Sequence, residues 1–347
     1  MDHAGIVPRR VLSERLFEAT PLSPAALAGT LAAALVGLLL LMGWLTGDLA
    51  LLSRDSVPWW QNRDARLAVV VSLFAAAVVT SLRYHAVGTR QDLLAVARLG
   101  GWRVEDVDPT RSEGDAFRER RAALLGLAVI PVLALLVDRD PGLYFMEGYW
   151  LVSKAWTWLL GSAAVAGRAV LIYRTARDAR HFSRLAERLP EIDLLDGDGL
   201  VPFARQAVRA TVPGVLGLSF IALNAIDQDF ALAVGALLVF ALAGGAIVLA
   251  IPLRGVRQRV RRAKREELAR THAAIRGEPG ALDGSPLAGR DAPGLADLLA
   301  WRAQVASVPE WPLDPSTLGR YGVYLAIPVA SWIGGALVER LLDAVLS

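Results

Sequence analysis

Five arginines, Arg174, Arg177, Arg180, Arg184 and Arg188, recur at spacings of three and four residues. That period places them on one stripe of a helix. Like charges on one stripe repel, so the stripe needs an anionic partner. The anionic face of a bilayer is the simplest one, at about 1 kcal/mol per basic residue near the surface. These five are therefore candidate anionic-lipid contacts, and their chemistry is electrostatic binding rather than bond-making. Groups that make bonds are sparse. His3, His85, His181 and His272 are isolated in sequence, and no H-E-x-x-H, G-x-S-x-G or P-loop occurs. The absence of cysteine removes disulfides, thiolate metal sites and thiol nucleophiles. The acidic run from Asp193 to Gly199 fails as an EF-hand. Counted from Asp196, position five is Leu200 and position twelve is Ala207, neither of which offers a side-chain oxygen. It reads as a turn after Pro190. The sequence thus predicts no enzymatic activity, no metal site and no cofactor.

The elements that carry the arginines are apolar. Of 347 residues, 54% are hydrophobic and 20% charged, and the apolar residues gather at about 24–46, 67–82, 122–137, 149–172, 212–226, 230–253 and 319–338. Blocks of that length approach a hydrocarbon core about 30 Å thick. Between them arginine alternates: eight in 83–121, seven in 173–212, eleven plus Lys264 in 254–320, against Arg139 alone in 138–148 and only Asp227 and Asp229 in 227–229. Cationic loops resist translocation, so the Arg-rich side is expected to be cytoplasmic and the N-terminus to start there. The reading is an all-α polytopic transmembrane bundle of six or seven spans with Arg-rich cytoplasmic helices. A sequence pI near 9.5 then reflects this bias and the lipid headgroups it attracts, and nucleic acid is not an expected partner. Lys154 and Lys264 are the only lysines, a skew that fits a GC-rich bacterial genome and hence a bacterial inner membrane.

Residues 1–22 form a cytoplasmic amphipathic segment in this reading, and 23–253 a six-span bundle with cytoplasmic loops 83–121 and 173–212. Residues 254–318 form a cytoplasmic helical region with a flexible linker at 277–294, and 319–347 a C-terminal hydrophobic helix that makes a seventh span. In the first of these loops, 83–121, Thr89-Arg90-Gln91-Asp92 resembles a capping box, and Gly100-Gly101 a helix stop, which predicts a separate short interfacial helix. Lys154 and Arg168 lie near the ends of the fourth apolar block, where snorkelling to headgroups is expected. Trp59, Trp60, Tyr144, Tyr149, Trp150, Trp156 and Trp158 mark the outer interface. Small residues four apart, Ala25 with Gly29 and Ala33 with Gly37, suit close helix contacts in lipid. Candidate packing or hinge positions are Gly235, Gly244, Gly245 and Pro252 in the sixth block, and Pro328, Ser331, Gly334 and Gly335 in the last.

No motif names a substrate. The expected function is a membrane-anchored scaffold or sensor whose cytoplasmic helical region docks a protein partner. The alternative is an oligomeric channel or uncoupled transporter that uses the kinked C-terminal span. A homo-oligomer fits either.

Overall fold

In a computed structural model of the full chain, the structure describes residues 22–47, 63–107, 113–137, 152–190, 192–194, 197–223, 231–288 and 293–311, with 319 and 322. All regular structure among the described residues is helical. The helices are α1 Pro24–Thr46, α2 Arg63–Gly100, α3 Val104–Val107, α4 Glu113–Val137, α5 Val152–Arg188, α6 Val201–Leu223, α7 Ala231–Ile275 and α8 Leu295–Ser307, with a short 3-10 turn at Gly197–Leu200.

Among the described residues, three helices are long and apolar enough to cross a membrane, namely α1, α2 and α5. The predicted count of six or seven rests on further blocks. Those at 122–137, 212–226 and 230–253 overlap helices whose side chains are described only in part, with 224–226 and 230 outside the described residues, and 319–338 lies outside them apart from Gly319 and Gly322.

Helix α1 is capped at both ends. Ser23 accepts from the Ala26 amide at 3.2 Å, Pro24 occupies the first turn, and Gly47 closes the helix at φ 79°. Its small-residue face is open. A methyl group added at Gly29 or Gly37 meets no described atom within 4 Å. Close helix approaches occur elsewhere. A Cβ at Gly126 of α4 would lie 2.6 Å from Ala166 Cα of α5, and one at Gly255 of α7 would run into the Ser183 carbonyl. Each glycine lets two helix backbones meet where no side chain fits.

Three helices outrun their apolar blocks. Helix α2 continues from residue 82 to 100, α5 from 172 to 188, and α7 from 253 to 275. At about 1.5 Å per residue, each extension projects roughly 25–35 Å beyond its apolar part. The predicted separate helix after Thr89 does not form. Thr89 and Asp92 are buried inside the 38-residue α2, where α6 occupies both side chains, so neither caps a backbone and the helix continues. The stop at Gly100-Gly101 is as expected, with Gly101 at φ 65°. Helix α7 runs unbroken past Gly235, Gly244, Gly245 and Pro252, whose surroundings are outside the described residues. Pro328, Ser331, Gly334 and Gly335 lie outside them altogether.

The extensions pack into a head. Leu93, Val96 and Ala97 of α2 meet Phe182, Leu185 and Ala186 of α5, both trios at helical spacing, together with Leu189, Leu200, Phe203, Val256, Val260 and the Val107 of α3. Phe182 and Phe203 meet edge to face, with centroids 5.9 Å apart. Arg259 donates to the carbonyls of Leu189 and Pro190, at 3.0 and 2.8 Å, and so caps the end of α5 with a side chain from α7. Residues 277–288, expected as a flexible linker, form successive turns with Gly277, Gly280 and Gly284 at positive φ, and Ser285 and Leu287 are buried.

Candidate functional site

Where α2, α5 and α6 leave their apolar blocks, charged and polar side chains are buried between them. His85, Thr89 and Asp92 follow one another at i, i+4 and i+7, so α2 presents them on one face. Across from His85, Asp178 of α5 accepts from its Nε2 at 2.9 Å, and Arg177 donates to the other carboxylate oxygen at 2.8 Å. The two side chains of the His85–Asp178 pair are 2% and 3% exposed, so this is a desolvated pair. Burial pushes the Asp178 carboxyl up, but the hydrogen bond and charge of His85 and the charge of Arg177 outweigh it and hold the group below its ordinary value.

Across from Asp92 stands α6. Arg209 donates to Asp92 Oδ2 and, at 3.4 Å, to Gln206 Oε1, which also accepts from Thr89 at 3.1 Å. Arg205 lies 3.6 Å from Asp92 Oδ1. The Arg209 guanidinium stacks over Tyr84, 5.6 Å from the ring centroid, in the space that a side chain at position 88 would fill. Gly88 is therefore part of the junction. Here burial prevails: it raises the Asp92 carboxyl above its ordinary value against the pull of Arg209 and Arg205. Among the described residues, four buried atoms of this network have no hydrogen-bond partner: His85 Nδ1, Asp92 Oδ1, Gln206 Nε2 and Arg209 Nε.

The arginine stripe divides. Arg174 pairs with Glu119 of α4 at 2.5 Å, beside a Tyr173–Asp115 hydrogen bond of 2.9 Å, and Arg177 pairs with Asp178. Arg180, Arg184 and Arg188 are exposed. Protein carboxylates thus compensate the two residues nearest the membrane end, and three remain open to an external anion. A guanidinium nitrogen of Arg168 lies 3.9 Å from where a Cβ at Gly214 of α6 would stand, so that end of the α5 apolar block lies beside α6. His181 donates to the Val107 carbonyl at 2.6 Å and fastens α3 to α5, and burial lowers its pKa.

A second cluster fastens α8 to α7. Glu267 is buried and accepts from Ser285 at 2.5 Å, Trp301 at 2.9 Å and Arg270 at 3.3 Å. Lys264 donates to the carbonyls of Ala306 and Val308, at 2.6 and 2.9 Å, and so caps the end of α8. Glu310 lies 3.7 Å from both Arg257 and Arg261, and Arg257 stacks on Trp311 at 4.8 Å. Residues 277–288 and 293–311 thus form a strap that climbs back along α7 toward Leu253. Leu298 and Val305 of α8 are buried, whereas Leu295 and Leu299 are exposed.

Among the described residues no three metal-ligating side chains converge. No family, curated protein or solved structure matches the chain. The His85–Asp178 and Asp92–Arg209 pairs are not visible in the sequence, since their members stand 93 and 117 residues apart. The one available signal was the polar series His85, Thr89, Asp92 on a single helical face that also carries Leu93 and Val96.

Proposed function

We propose that this protein is a membrane-anchored scaffold or sensor of the bacterial inner membrane, with its working surface in the head. The observation that carries the reading is the continuation of α2, α5 and α7 beyond their apolar blocks into one packed polar end, with the 277–311 strap held along α7. A bundle that only conducted would need short turns there, not three long extensions and a core of their own.

The head gathers the C-terminal ends of α2, α5 and α7 with the N-terminal ends of α4 and α6. That alternation is the one expected of successive crossings, and it brings the Arg-rich segments to one side, which the basic bias makes cytoplasmic. On this reading α1, α2, α4, α5, α6 and α7 would make six crossings through residue 253, of which α1, α2 and α5 are the three whose length and apolar character support it. The return of the strap to Arg257, one turn beyond Leu253, delivers the chain to the border from which 319–338 would make the seventh. Of the exposed arginines Arg180 would lie nearest anionic headgroups, while Arg184 and Arg188, about 18–24 Å along α5 beyond its apolar block, would face an anionic partner of the head, and the open Ala25, Gly29, Ala33 and Gly37 face of α1 suits a second copy of the chain.

The chain lacks cysteine, so single cysteines report topology directly. Cysteines at positions 53 and 142 should react with an impermeant reagent in intact cells, and one at 284 should not. Labelling at 284 would reverse the orientation. Proteoliposomes of the wild type should be ion-tight, and deletion of 277–318, with a short linker, should abolish recovery of a defined docking partner while the bundle stays folded. The charged network at the inner end of α2, α5 and α6 favours the second reading, an oligomeric channel. Robust flux that survives the deletion would establish that reading in place of the first.

A further inference from the structure

Helix α4 has two unlike faces where it enters its apolar block. Asp115 and Glu119, one turn apart, turn to α5 and hold Tyr173 and Arg174, and Gly126 meets the Ala166 backbone farther along the same face. The opposite face is open. Phe117, Arg121, Leu124 and Ala128 follow one another there at i, i+4, i+7 and i+11, with Arg120 and Leu125 on its flanks, and all six are exposed. Phe117, Leu124 and Leu125 keep 59%, 65% and 71% of their surface. Because Asp115 and Glu119 are engaged with Tyr173, Arg118 and Arg174, no carboxylate among the described residues pairs with Arg120 or Arg121. Arg121 instead lies over the Phe117 ring, 4.9 Å from its centroid. A helical side chain leans toward the N-terminus of its helix, which on α4 is away from the apolar block, so the guanidinium is carried about a turn outward from the leucines. Stacking occupies its flat face and leaves its N–H edge free.

The change from cationic to apolar surface takes one turn, about 5 Å, and the headgroup layer on each side of a bilayer is about 5–7 Å thick. The two steps match. A free phosphate would satisfy the arginines and leave the leucines bare, whereas hydrocarbon alone would cover the leucines and leave the arginines without a counterion. A molecule with an anionic head on an apolar tail covers both. We propose that this face of α4 binds one anionic phospholipid, with its phosphodiester on the free edge of Arg121 beside Arg120 and an acyl chain along Leu124, Leu125 and Ala128. Guanidinium and phosphate form charge-assisted, bidentate hydrogen bonds. A zwitterionic lipid offers the same phosphate, but its ammonium group meets Arg120 as a like charge. The site requires α4 to lie in the bilayer and does not require the head to dock a partner. Labelling at position 142 tests that placement separately.

The full-length protein in mild detergent is titrated with phosphatidylglycerol and, in parallel, with phosphatidylcholine of the same chains, and bound lipids are counted by native mass spectrometry. One phosphatidylglycerol should bind saturably at concentrations where phosphatidylcholine does not. Arg120→Gln with Arg121→Gln should weaken it about thirtyfold, and Arg184→Gln, which lies on α5, should leave it unchanged. Leu125→Asn keeps both arginines and should also weaken binding, because the chain loses part of its track. Glycerol phosphate, the head without its chains, should not compete. Equal binding of the two lipids overturns the site, as does an unchanged affinity in the double arginine variant or in Leu125→Asn. Full competition by glycerol phosphate would assign the arginines to a free anion, and a dimer that excludes the lipid and that Leu125→Asn dissociates would assign the face to a second copy; either overturns the lipid site. If a variant does not fold, the comparison of the two lipids and the glycerol phosphate competition decide on the wild type alone.

Discussion

The two junctions on α2 use the same ingredients to opposite effect. At the α2–α5 junction, both Asp178 oxygens are bonded, one to His85 and one to Arg177, and its carboxyl stays below the ordinary range. At the α2–α6 junction, Asp92 has two guanidiniums beside it, yet burial raises its carboxyl. The difference lies in how the charges are satisfied rather than in how many are present. Asp178 receives a hydrogen bond on each oxygen. Asp92 receives one on Oδ2 alone, and Oδ1 faces Arg205 at ion-pair distance without a bond. A buried charge is stabilised by directed donors more than by nearby cations, so the first junction is a closed structural tie and the second is incomplete.

The largest effect is expected at the incomplete junction. Arg209→Met strands Asp92, 0% exposed, with only a half-exposed Arg205 nearby. The predicted loss is about 3–5 kcal/mol, read by chemical or thermal unfolding in nanodiscs. Arg209→Met with Asp92→Leu should recover most of it, and a double variant as unstable as the single one would show that the pair is not what holds α6.

The comparison sharpens with pH. A lowered carboxyl contributes stability that is complete above its ordinary value of 3.8 and is lost as pH falls below it. Asp178→Asn should therefore cost about 2 kcal/mol at neutral pH, and the gap to the wild type should close under acid. A raised carboxyl has the opposite sign, since the folded state holds its proton more tightly, and stability from Asp92 declines as pH rises above 3.8. Asp92→Asn should then show a pH slope opposite to that of Asp178→Asn, measured as unfolding midpoints across a pH series. Parallel slopes would mean that the two junctions do not differ.

Gly88 belongs to the α2–α6 junction alone. Gly88→Ala intrudes on the Arg209 guanidinium and should destabilise by about 1–3 kcal/mol, whereas Gly29→Ala, which meets open space, should be close to neutral. Equal effects in unfolding assays would remove the claim that glycine is required there. The smallest change is expected away from both junctions, at the hydrogen bond between Trp156 and Ser72, 2.9 Å long and within the apolar blocks. Trp156→Phe should cost about 0.6 kcal/mol, at the edge of detection in the same assay.

The apolar blocks and the Gly101 stop act through neighbours in sequence or through the solvent, so the sequence alone determines a helical chain in which, among the described residues, three helices are long and apolar enough to cross a membrane. It also determines that Arg174 through Arg188 share a stripe. Tertiary structure decided what that stripe faces, because Glu119 reaches Arg174 only once α4 packs on α5, and the Asp178 beside Arg177 is buried only once α2 brings His85 to it. It likewise decided that Thr89 and Asp92 are buried rather than capping. A helical face that reads as polar from its own neighbours is read differently when α6 brings Gln206 and Arg209 against it. Period and charge are local properties of a chain, but the burial of a charge depends on which distant segment supplies its counterion.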